Sequence, residues 1–244
     1  MSARTELAMA DVLAALDKVR DPELDRSLVD LDFVSSVSIE GSRLRVALRL
    51  PTYWCAANFS FLMVQDAKRA LSELPGVSEV EVELVEHFAA DQINAGVAQG
   101  RSFAQSFPDE AEADLDELRD RFARKGLAAR LHRLCRSLLD EGMTQEQVAT
   151  LRLGDLTPSE AAADYLSRRA ELGLPTDAGS PLLIDDSGRP VDSKRAEIYL
   201  AWVRAVASSL DGNTAYCRGL LATRYGLPAD PSAPTVPAGA EVAQ

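Results

Sequence analysis

Cysteine and histidine are scarce in this sequence. Its 244 residues hold three cysteines, Cys55, Cys135 and Cys217, and two histidines, His87 and His132. Cysteines odd in number and far apart exclude a disulfide framework and suit reduced thiols in a cytoplasm, the expected location. So few ligand-type side chains also exclude a closed Cys/His metal site built by this chain alone. No apolar run reaches membrane-spanning length and no basic-then-apolar leader is present, so no membrane association is expected. A phosphate loop, a Ser/His/Asp set and a metal-binding histidine pair are missing too, and the chain is not expected to be an enzyme. Cationic charge is outnumbered, giving a formal net charge of -12. That balance repels phosphate backbones and anionic lipid, which argues against a nucleic-acid partner.

What is present reads as a globular chain in two parts. Apolar residues at Leu7, Val12, Leu13, Leu16 and Val19 predict a helix over 6–19, stopped by Asp21-Pro22. Phe33, Val34, Val37 and Ile39 predict a strand. A turn at Glu40-Gly41-Ser42 leads to a second strand through Leu44, Val46, Leu48 and Leu50. A helix fits 58–74 with Asn58 as N-cap, and Val77, Val80, Val82 and Leu84 alternate as a third strand. The fold class is therefore α+β: a small α-β-β-α-β domain with helices on a three-stranded sheet, followed by a mostly helical extension. The expected boundaries are 1–88 for the domain, 89–227 for the extension and 228–244 for a proline-rich disordered tail. Within the extension, helices fit part of 90–107, then 109–125, a leucine stripe over 127–139, 144–151, 159–172 and 194–210.

Three local signals in the first domain carry chemistry. They are Asp21-Pro22-Glu23, Leu28-Val29-Asp30-Leu31, and Thr52-Tyr53-Trp54-Cys55, with Pro75-Gly76-Val77 at the helix-to-strand turn. Cys55 falls just before a helix start, where unpaired N–H groups and the positive dipole end favour a thiolate. With no second Cys or His in that loop, a metal there would be under-coordinated. It would need a partner, a second subunit, or a carboxylate such as Asp21 or Glu23.

At these residues the sequence resembles the metal–sulfur (iron–sulfur) cluster assembly-factor family. That family includes the SUF-system T-type proteins, the cytosolic iron–sulfur targeting subunits and the D-type protein that accompanies phenylacetyl-CoA epoxidase. The resemblance covers residues 7–86. It implies a maturation accessory in which Cys55 is a transient ligand for iron or an iron–sulfur cluster, with no permanently bound cofactor. Asp21 and Glu23 stand as neighbours of the metal, and Thr52, Tyr53 and Trp54 as partner-binding residues. The implied partner is a client metalloprotein, one candidate being a diiron oxygenase subunit, and a homodimer is a further expectation. Three departures mark a divergent branch: Asp32 replaces the usual Gly, Ala56 the usual Pro, and Tyr53-Trp54 the usual small residues. They leave open an alternative, an interaction or chaperone-like module that has lost metal chemistry.

Elsewhere the signals are weaker. His132 and Cys135 share a helical face at i, i+3, but the surrounding leucines assign them to a core. His87 is expected to pack or hydrogen-bond, and Cys217 has no ligand-type neighbour in sequence. Residues 143–149 have a faint helix-turn-helix look. Residues 182–190 are similar to a hairpin of tyrosine-recombinase-like domains, without the Arg, His and Tyr that a recombinase needs.

Overall fold

The computed structural model describes residues 7–109, 115–228 and 241–242. The chain divides into two compact units, one of residues 1–116 and 214–244, the other of residues 117–213.

The first unit opens with α1 (Met9–Leu16) and a hairpin of two-residue strands, β1 (Arg20–Asp21) and β2 (Arg26–Ser27). β3 (Val34–Glu40) and β4 (Arg43–Leu48) follow as an antiparallel pair, turning at Gly41 with φ 62°. α2 (Ala57–Ser72) crosses to β5 (Glu79–Leu84), which pairs parallel with β4 from Arg43↔Glu79 to Leu48↔Leu84. The α-β-β-α-β order and the mixed three-stranded sheet agree with the expected fold class. Glu241–Val242 forms β6, which pairs parallel with β3 and makes the sheet order β5-β4-β3-β6. The rest of the expected disordered tail, 229–240 and 243–244, lies outside the described residues.

Alternation along the strands sorts the two faces of this sheet. Val37, Ile39, Leu44, Val46, Leu48, Val82 and Leu84 are buried beneath the helices. The opposite face carries exposed cross-strand pairs, Arg43 to Glu79 at 2.6 Å and Arg45 to Glu81 at 3.0 Å. Each such pair is worth at most about 1 kcal/mol, so burial of the apolar face dominates. α2 packs on α1, on β5 and on α3 (Ala90–Ala98), and α3 itself packs on β5. Ile93 and Val97 of α3 are buried, so this unit reaches past residue 88. α4 (Phe103–Ser106) follows, capped by a reciprocal Ser102–Gln105 box.

The second unit is built on α5 (Asp116–Asp140), α6 (Gln145–Thr150), α7 (Glu160–Glu171) and the first part of α8 (Ser193–Tyr225). Leu127, Leu131, Leu134, Cys135 and Leu138 of α5 share a core with Val148, Tyr165, Leu182 and Val203. Thr144 and Ser159 cap α6 and α7 through their side chains.

Four local readings are corrected. α1 ends at Leu16, and Asp21-Pro22 enters the hairpin, where Asp21 Oδ1 accepts the Glu23 and Leu24 N–H groups. α2 starts before Asn58: Ala56 is its N-cap, and Asn58 instead bonds the next backbone N–H, that of Phe59. The charged segment and the leucine stripe form one continuous helix, α5, because residue 126 is a glycine that the helix absorbs without a turn. α8 runs to Tyr225, well beyond 210.

Candidate functional site

Cys55 is half-buried in the loop immediately before the Ala56 N-cap. Ala56 supplies no side-chain cap, so the positive end of a 16-residue helix adjoins the thiol. Thr52 organises the loop: its Oγ1 accepts the Trp54 N–H at 3.2 Å and lies 3.4 Å from Cys55 Sγ. The Cys55 carbonyl receives His87 Nε2 at 2.7 Å, while His87 Nδ1 accepts the Ala89 N–H at 3.2 Å. This pattern assigns the proton to Nε2 and occupies both ring nitrogens. Burial, the largest effect, lowers the His87 pKa and keeps the ring neutral. His87 is thus a brace for the Cys55 backbone, a hydrogen-bonding role of the kind expected.

Asp21 is buried, and burial pushes its carboxyl up to about 6 against the two backbone N–H bonds that oppose the shift. Glu23 is exposed beside it. Asp21, Cys55 and Glu23 all act electrostatically on one further group, the thiol of Cys217 in the last third of α8. Burial, the largest effect, and then the nearby carboxylates push that thiol up to about 11. Sequence reasoning gave Cys217 no ligand-type neighbour; in the structure it lies within electrostatic reach of these three groups. The signal that finds it is a 3/4 spacing through Val203, Ala207, Leu210, Thr214, Cys217 and Leu221, which extends α8 past the expected end. Five of these six are buried and Cys217 is half-buried.

Tyr53 and Trp54 stand exposed beside the thiol, Trp54 at 72%. Phe88, which sequence reasoning did not single out, joins them: its ring stacks on Trp54 at 5.5 Å and its N–H bonds the Tyr53 carbonyl. Among the described residues no group of three or more His, Cys, Asp or Glu side chains is arranged to hold a metal ion. Nor, among them, is any helix long and apolar enough to cross a membrane. Cys135 is sealed in the core of the second unit with its thiol pushed up to about 12 by burial, as the leucine-rich context implied.

The segment holding these features matches known proteins. Residues 9–84 match the family model described as iron-sulfur cluster assembly protein. The Fe-S protein maturation auxiliary factor YitW of Bacillus subtilis is 31% identical over 81 residues, which are 33% of this chain and 78% of that protein. The chain belongs to the iron–sulfur cluster assembly family. Iron-sulfur cluster carrier proteins are also similar: that of Synechocystis is 40% identical over 73 residues, and that of Deinococcus radiodurans 35% identical over 72. In both cases the match covers 30% of this chain and only 20% of the carrier. The family domain is thus the shared part, and residues beyond 84 lie outside the family match.

Proposed function

We propose that this protein is a non-catalytic maturation factor that passes iron or an iron–sulfur cluster to a client metalloprotein, with Cys55 as transient sulfur ligand. The observation that carries the reading is a half-exposed cysteine at an uncapped helix start inside the family-matched segment. Asp21 and Glu23 supply the negative charge that draws a cation toward the loop. Thr52 holds the loop conformation, and the Tyr53–Trp54–Phe88 cluster offers the client an aromatic contact surface beside the sulfur. A site with too few ligands of its own releases cargo easily, which suits transfer rather than storage.

Cys55→Ser in the full chain is expected to keep the wild-type melting temperature and to lose the thiolate-to-iron absorption seen on anaerobic reconstitution with ferrous iron and sulfide. Identical spectra for the two proteins would overturn the reading in favour of a module that only holds a partner. A diiron oxygenase subunit is the narrower choice of client, motivated by the bulky Tyr53-Trp54 loop and by the family branch that accompanies such an enzyme. Its check is iron loading of the oxygenase with and without this protein; equal loading removes that client.

A further inference from the structure

Thr214, Cys217, Arg218, Leu221, Arg224 and Tyr225 fall on one face of α8 by helical spacing. That face is fastened to the assembly domain. Arg218 Nη2 donates to the Asp30 carbonyl at 3.0 Å and pairs with its carboxylate at 2.8 Å. Arg224 donates to the carbonyls of Leu50 at 3.2 Å and Glu86 at 2.7 Å, and the Arg49 guanidinium stands 5.0 Å over the Tyr225 ring. Asp30 lies just past the hairpin that holds Asp21. Leu50 and Glu86 flank the two segments that carry Cys55 and His87. Thr214 and Leu221 are buried, so Cys217 sits on the docked side of the helix, one residue from Arg218.

We propose that Cys217 is the second sulfur ligand of the Cys55 site, so that a thiophilic metal ion or an edge iron of a cluster is held by two thiolates of this chain. The proposal rests on the reading that Cys55 holds such cargo. It removes the difficulty of a single-ligand site while leaving half of a tetrahedral set for the client or the cluster to fill. A metal ion bound between the two sulfurs displaces their protons. With two sulfurs and, among the described residues, no third ligand arranged with them, cargo exchange stays open.

Anaerobic titration of the full chain with Co²⁺ tests this, because thiolate-to-cobalt charge transfer reports each bound sulfur. Wild type is expected to show the band. Cys217→Ser should lose about half of its intensity and bind at least about tenfold more weakly, and Cys55→Ser should behave likewise. Full intensity and affinity in Cys217→Ser, with loss in Cys55→Ser, would overturn the second ligand and leave the Cys55 reading standing. No band in any protein, or equal bands in all three, would overturn both. A measurement on wild type alone guards against a variant that misfolds. Dibromobimane, which fluoresces only after bridging two thiols, should light up the native chain, with the bridge mapping to Cys55 and Cys217. An unbridged native chain would overturn the proposal.

Discussion

Two departures from the family pattern have conformational explanations at single residues. Asp32 stands where a glycine is usual, and its backbone is left-handed, φ 58°. Aspartate tolerates that region better than most side chains, and Arg49 Nε bonds its carbonyl at 3.1 Å. Asp32→Ala is therefore expected to cost about 1 kcal/mol more than Asp32→Gly in urea denaturation, since both lose the same carboxylate and only alanine resists the conformation. Ala56 stands where proline is usual, and its φ of -60° is the value a proline ring imposes. Asp21 makes a pH prediction. Its carboxyl titrates near 6 when folded and near the ordinary 3.8 when unfolded, so the folded chain binds more protons between those values. Stability then falls as pH rises through that window, by roughly 2–3 kcal/mol. Asp21→Asn should melt higher than wild type at pH 7, and the advantage should vanish below pH 4.

At the scale of elements, period-two alternation made β3, β4 and β5 legible because one sheet face is buried and the other charged. Helical periodicity likewise placed α2, α6 and α7 to within a few residues. The β1–β2 hairpin was illegible because two-residue strands leave no pattern to count; the Asp21 side chain, bonding N–H groups ahead of it, creates the turn. The length of α8 was missed for a different reason. Its seam changes from apolar residues to Thr214, Cys217 and Arg218, whose burial depends on contacts far away in sequence. Cys55 was legible as a residue before a helix; the 3/4 spacing puts Cys217 on the seam of α8, but only the fold brings that seam to the Cys55 side of the domain. Arg224 is the clearest fastening of α8, with two carbonyls accepting from one guanidinium. Arg224→Ala is expected to lower the stability of the first unit by about 1–2 kcal/mol, read by chemical denaturation with near-ultraviolet circular dichroism.

For the molecule as a whole, the expected boundary at 88 and the compact units differ in what they keep together. The first unit retains α3 and α4, whose Ile93, Val97, Phe103 and Phe107 are buried, Phe103 ring-to-ring with Phe61 of α2 at 5.6 Å. A piece ending at residue 88 uncovers Phe61 and part of β5. It is expected to bind a hydrophobic dye and to melt without the cooperativity of the full chain, as fluorescence and calorimetry would show.

The bond from Arg218 to the Asp30 carbonyl joins residues 188 positions apart. During translation the Cys55 loop leaves the ribosome long before the α8 segment that fastens beside it, so this face of the domain stays unfinished until that segment has been made. A protease cut between Asn213 and Arg218 would have the same effect, separating the family domain from its last helical face.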